Sequence, residues 1–173
     1  MNDRRRLILL IINMITVSLA VAGVGIYVLY QTGFKQQQKR LEEIAKSQVS
    51  LIEAIADTND DPESVLSALT KAHKNLQKFS ETKEFTLGKR QGDYIVFLFD
   101  RRDYQLAKPK PVPWQGKIAE PMRLALQGKS GSTIALDYRG VKVLAAYEPM
   151  PNFNWGIVAK STWQKLERLL LKL

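Results

Sequence analysis

Seven side chains in the C-terminal half have the types and spacing to hold a small polar molecule: Arg101, Arg102, Tyr104, Trp114, Arg123, Tyr138 and Tyr147. An arginine grips a carboxylate through two parallel N–H···O bonds. Tyrosine and tryptophan wall a site with apolar surface, and each keeps one hydrogen bond to offer. Arg101, Arg102 and Tyr104 follow an apolar run; Trp114 and Arg123, with Glu120, belong to the loop and helix after it; Tyr138 and Tyr147 flank a turn. A loop folded over a sheet would bring these groups to one cavity. The ligand such a set fits is a small molecule, a carboxylate above all. The competing reading of the same residues is a solvated basic loop over ordinary aromatic core.

Catalytic chemistry finds no footing. The chain has no cysteine, which removes thiol nucleophiles, disulfides and thiolate metal sites. His73 is the only histidine, and no Ser-His-Asp set can be built around it. The carboxylates form no acid/base pair. Gly128-Lys129-Ser130 looks like the end of a phosphate loop, but the earlier glycine that motif needs is replaced by Arg123. Asp57-Thr58-Asn59-Asp60-Asp61 opens like a calcium loop, but Pro62 stands at the sharp turn and Ala68 at the bidentate position. Those polar residues read as a helix cap instead. No metal, no cofactor and no enzymatic activity is expected.

The element that places everything else comes first in the chain. Leu7–Tyr30 carries no charge, and Arg4, Arg5 and Arg6 stand directly before it. As a helix this segment is about 36 Å long, enough to cross a hydrocarbon core of about 30 Å. Arginines before the span hold that end in the cytoplasm. The expected arrangement is a single-pass inner-membrane protein with residues 1–6 cytoplasmic, 7–30 spanning and the rest extracytoplasmic. Ala20-Val21-Ala22 offers a signal-peptidase site, but the apolar run continues through Leu29, which favours an uncleaved anchor. The net charge of +9 suits anionic lipid or an acidic ligand, and the location makes nucleic acid an unsuitable partner.

Phe34–Ala56 has helical periodicity. Leu41, Ile44, Leu51 and Ile55 fall at heptad spacing around Gln48, and Ala45, Val49, Ile52 and Ala56 form an adjoining stripe. One side suits a sheet, the other a partner helix, so a homodimer through this helix is expected; the alternative is a monomer whose helix covers the sheet. No glycine or proline interrupts Phe34–Ala56, so the membrane helix can run straight into it. A second helix is expected over Glu63–Phe79 and a short one over Lys117–Leu126. Strands are expected at Glu84–Leu87, Tyr94–Phe99 (apolar on both faces, hence central), Thr133–Tyr138, Val141–Tyr147 and Trp155–Lys160, with a tight Arg139-Gly140 turn. The fold class is α+β: an antiparallel sheet of about five strands with helices on one face. The sensor-sized domain would occupy 31–163, and 164–173 would be a juxtamembrane amphipathic helix.

The same residues carry a family resemblance. Phe85-Thr86-Leu87-Gly88, Gly92-Asp93 and the strand ending in Asp100-Arg101-Arg102 resemble Cache-type extracytoplasmic sensor domains, as does Ala119–Gly131. So do Asp137-Tyr138-Arg139-Gly140, Val143–Pro149 and Trp155-Gly156-Ile157-Val158-Ala159-Lys160. The resemblance implies a PAS-like antiparallel sheet hung on a long N-terminal helix. It further implies a role as the outer part of a bacterial receptor, such as a sensor histidine kinase or diguanylate cyclase, and a ligand held between sheet and loops. The tyrosine–arginine–tryptophan motif of the amino-acid-binding, two-module members has no counterpart here. Such receptors continue into a second span and an output domain, whereas this sequence stops at Leu173. It is therefore either a truncated receptor or a one-span protein that binds without its own output. An envelope assembly module that binds a protein partner is the rival reading.

Overall fold

The computed structural model describes residues 3–57, 61, 63–68, 84–100 and 109–170. Helix α1 is a single unbroken rod, Asp3–Ala56, of 54 residues. No proline falls within it, so nothing removes a backbone hydrogen bond or forces a kink. Its two halves live in different surroundings. Every residue from Arg4 to Tyr30 is exposed, and this stretch supplies the one candidate membrane span among the described residues, with mean hydropathy 2.5 over its 18-residue window. Beyond Gln31 the rod lies against protein, and Leu41, Ala45 and Ile52 are buried. The expected continuity of membrane helix and outer helix is what the fold has.

A short helix, α2, covers 63–68. Asp61 caps it, its carboxylate accepting the Ser64 N–H at 3.1 Å. The remainder of the helix expected to Phe79 lies outside the described residues. Six antiparallel strands follow: β1 (Glu84–Gln91), β2 (Tyr94–Asp100), β3 (Val112–Pro113), β4 (Gly131–Leu136), β5 (Lys142–Met150) and β6 (Trp155–Thr162). Helix α3 (Glu120–Leu126) separates β3 from β4, and α4 (Trp163–Leu170) follows β6. The spatial order is β3-β2-β1-β6-β5-β4, and the sheet curls into a half-barrel. The α+β class stands.

The sheet has six strands where about five are expected, the two-residue β3 being the addition, and two further expectations need correction. The apolar strand β2 is not central: only the two-residue β3 flanks it, while β1 and β6 hold the middle. Its second face is only partly covered, with Val96 and Leu98 half-buried. Helices also cover both faces of the sheet, not one. The buried runs Val143–Ala146 and Trp155–Lys160 present apolar side chains alternately to opposite sides, and each side needs a cover. Leu144, Ala146, Ile157 and Ala159 meet Leu41, Ala45 and Ile52 of α1. Val143, Ala145 and Val158 meet Ala119 and Met122 at the start of α3.

Helix α3 begins three residues later than Lys117 because Ala119 takes a left-handed conformation, φ 57°, immediately before a first turn that holds Pro121. It lies very close to the sheet. Gly88 of β1 and Gly156 of β6 are cross-strand partners, and together they form a shallow trough. A Cβ on Gly156 would stand 2.8 Å from the Ala125 Cβ, and one on Gly88 would stand 3.0 Å from the Met122 sulfur.

Candidate functional site

The β4–β5 turn builds the polar centre of the molecule. Asp137 follows β4; its N–H donates to the Val141 carbonyl at 2.9 Å, and its carbonyl accepts from Gly140 N–H at 3.0 Å. Gly140 has φ 75°, the left-handed conformation this tight turn requires. The turn leaves the Asp137 carboxylate pointing back into the protein. Its Oδ1 accepts the N–H groups of Arg139 and Val141 at 2.9 and 3.1 Å. Its Oδ2 accepts Arg139 Nε at 2.7 Å and Lys160 Nζ at 3.1 Å.

Lys160 is the unusual member. It stands on the central strand β6 with its side chain 1% exposed, against 24% for Arg139. A buried ammonium persists only when a counter-charge and hydrogen bonds replace its water. Asp137 provides the charge. The Tyr138 ring adds its π face, with Nζ 4.3 Å from the centroid. Phe97 fixes that ring from behind, centroid to centroid 4.8 Å.

Beside this centre, on the α3 face of the sheet, lies a pocket with about 260 Å³ of empty space. Thr86, Phe97, Val143 and Val158 of the strands form its floor, Ala119, Pro121 and Met122 its α3 wall, and Asp137, Tyr138 and Lys160 its polar end. That volume includes open solvent at the mouth; the part that admits a water-sized group is about 20 Å³, so the pocket is a small hollow that a ligand enters only where its walls give way. Most of the wall is apolar. The carboxylate at the polar end is already committed to its two cations and two N–H groups.

The seven residues singled out in sequence divide into groups. Tyr138 lines the pocket. Tyr147 packs on the same face of the sheet, with its ring over Gly131, the residue opposite it on β4. Trp114 and Arg123 form a separate unit at the α3 loop. Arg123 Nε donates to the Trp114 carbonyl at 2.6 Å, and its Nη2 donates to the Ile118 carbonyl at 2.9 Å. Arg90 lies over the Trp114 ring at 4.1 Å. In this arrangement Arg123 fastens the loop that leads into α3. Arg101, Arg102 and Tyr104 lie outside the described residues.

Asp137 and Lys160 escaped the sequence reading. The signal is present: Lys160 closes an otherwise apolar run, WGIVAK, and Asp137 opens the turn DYRG. A lysine closing a strand with no polar alternation is a candidate for burial and needs an acid somewhere. What the sequence withholds is that the acid stands just past the end of β4, two strands across the sheet. No family model, curated protein or solved structure matches this chain.

Proposed function

We propose that this chain is a membrane-anchored, Cache-type sensing domain, with its N-terminus in the cytoplasm and its sheet outside the inner membrane. It binds a small molecule in the pocket beneath α3. It passes the signal through α1 to a histidine-kinase or diguanylate-cyclase output. The observation that carries the reading is the relation between pocket and rod. Val158 and Lys160 of β6 face the pocket, while Ile157 and Ala159, their immediate neighbours, face α1. A ligand that prefers one placement of β6 therefore also prefers one placement of α1, and this differential affinity is the whole source of signal. Ser132 Oγ donates to Glu42 Oε1 at 2.7 Å, a second tie between sheet and rod.

Homodimer formation through α1 belongs to the same proposal. The Gln48 Oε1 atom is buried without a hydrogen-bond partner among the described residues, and Leu51 nearby is 36% exposed. A second copy packed along α1 would cover this exposed leucine.

The rival reading, an envelope assembly module, draws support from β4. It is an edge strand with no charge, and Ile134 and Leu136 on it are exposed. Such an edge accepts an added strand from a partner. Thermal unfolding of the chain against a panel of small carboxylates, amino acids and amines separates the two. A true ligand at a hundred times its Kd adds about 2.7 kcal/mol. A flat response across the panel sinks the sensor reading. Topology is tested by single cysteines placed in this cysteine-free chain. A cysteine at Lys129 should react with a membrane-impermeant maleimide on intact spheroplasts, and one at Asn2 should not.

A further inference from the structure

Just past its apolar stretch, α1 presents Lys35, Lys39 and Arg40, all exposed. We propose that these three form a basic collar that holds the headgroups of anionic phospholipids. This rests on the reading of Leu7–Tyr30 as the span. Among the described residues none of the three makes an ion pair or hydrogen bond. No acidic residue occurs between Asp3 and Glu42, and Glu42 accepts a hydrogen bond from Ser132. Glu42 and Glu43 follow within one turn of Lys39 and Arg40 but on the side away from the span, so the helix is purely cationic toward the membrane.

The geometry matches a headgroup layer. At helical rise the Cα atoms of Lys35, Lys39 and Arg40 stand about 7, 13 and 15 Å beyond that of Tyr30. The polar layer of each leaflet is about 5–7 Å deep, and long basic side chains reach back along a helix to meet it. At about 100° per residue, Lys35 and Lys39 are within about 40° of each other. They point more than about 110° away from Leu41, the residue that meets the sheet. Lys35 and Lys39 therefore face away from the domain, while Arg40, about 100° from Leu41, stands exposed at its flank. Lysine meets a phosphodiester as a point charge, and arginine meets it through its fork of donors. Each cation near an anionic surface contributes about fivefold in partition.

The test uses the full chain reconstituted in vesicles of equal phosphatidylcholine and phosphatidylglycerol, then native mass spectrometry of the lipids that remain bound. The wild-type chain should retain phosphatidylglycerol over phosphatidylcholine. The variant Lys35→Gln/Lys39→Gln/Arg40→Gln should lose about tenfold or more of that preference. The variant Lys110→Gln/Lys117→Gln/Lys129→Gln, which removes as much charge from exposed positions away from the span, should keep it. An inserted collar variant with wild-type preference overturns the collar and leaves the span intact. A chain that does not float with the vesicles overturns the span reading itself, and the collar with it.

Discussion

Asp137→Asn would leave Lys160 and Arg139 beside a neutral amide. The amide oxygen can still accept the N–H groups of Arg139 and Val141, so the turn keeps its cap. What disappears is the counter-charge. Arg139, partly exposed, can swing toward water; Lys160, with its side chain 1% exposed, cannot. Leaving one charge of a buried pair uncompensated costs about 3–5 kcal/mol. Lys160→Met is the milder change. It removes the cation, fills nearly the same volume beside Tyr138, and leaves Asp137 its two N–H donors and Arg139. That change should cost about 1 kcal/mol. The double variant should recover about 2 kcal/mol relative to the sum, because no buried cation remains to be stranded. With roughly 3–4 °C per kcal/mol for a domain of this size, Tm should fall by about 10–20 °C for Asp137→Asn and by about 4 °C for Lys160→Met. Tryptophan fluorescence of the full chain in detergent at neutral pH reads all three values. The reasoning fails if Lys160→Met is as damaging as Asp137→Asn, or if the double variant is as unstable as the sum of the singles.

Four further changes probe the frame of the site. Gly156→Ala should cost about 1–3 kcal/mol, since the new methyl meets the rigid Ala125 Cβ at 2.8 Å; Gly88→Ala should cost less, because it meets only the pliable Met122. Thermal unfolding ranks the two, and the reverse order would show that α3 does not rest in the glycine trough. Arg123→Met removes both bonds to the Trp114 and Ile118 carbonyls, about 2–3 kcal/mol together, and should open tryptic cleavage at the exposed Lys117; an unchanged digestion pattern would count against the loop-fastening role. Ser132→Ala, which releases Glu42, should cost about 1 kcal/mol and raise hydrogen exchange in β4; unchanged exchange would show the tie to be idle.

The elements most easily read in the sequence are those whose signal is local. The unbroken rod follows from an apolar run and an absence of proline. The Asp137–Val141 turn follows from Arg139-Gly140, and β6 from WGIVAK. Strand ends are less legible where polar residues continue the ladder, as at Lys89–Gln91, and β4 starts and stops two residues earlier than its apolar pattern suggests. Non-local facts were not legible. Apolarity on both faces of Tyr94–Phe99 resembles that of a central strand, but order in a sheet is decided by which strands pair, and β1 and β6 pair in the middle. Arg123 has the chemistry of a carboxylate grip, but two backbone carbonyls reach it first. The contact of Lys160 with Asp137 joins residues 23 apart, and only the folded register brings them within 3.1 Å.

The alternation along β6 sets a limit on how this chain can vary among descendants. Its odd residues Trp155, Ile157 and Ala159 pack with α1, and its even residues Val158 and Lys160 serve the opposite side. Loss or gain of one residue inside the strand would invert every later side chain. It would drive the Lys160 ammonium against the rod and turn an alanine toward Asp137. Changes in length should therefore gather in the connections, at Pro151–Asn154 and at 127–130, while β6 changes by replacement or by two residues at a time.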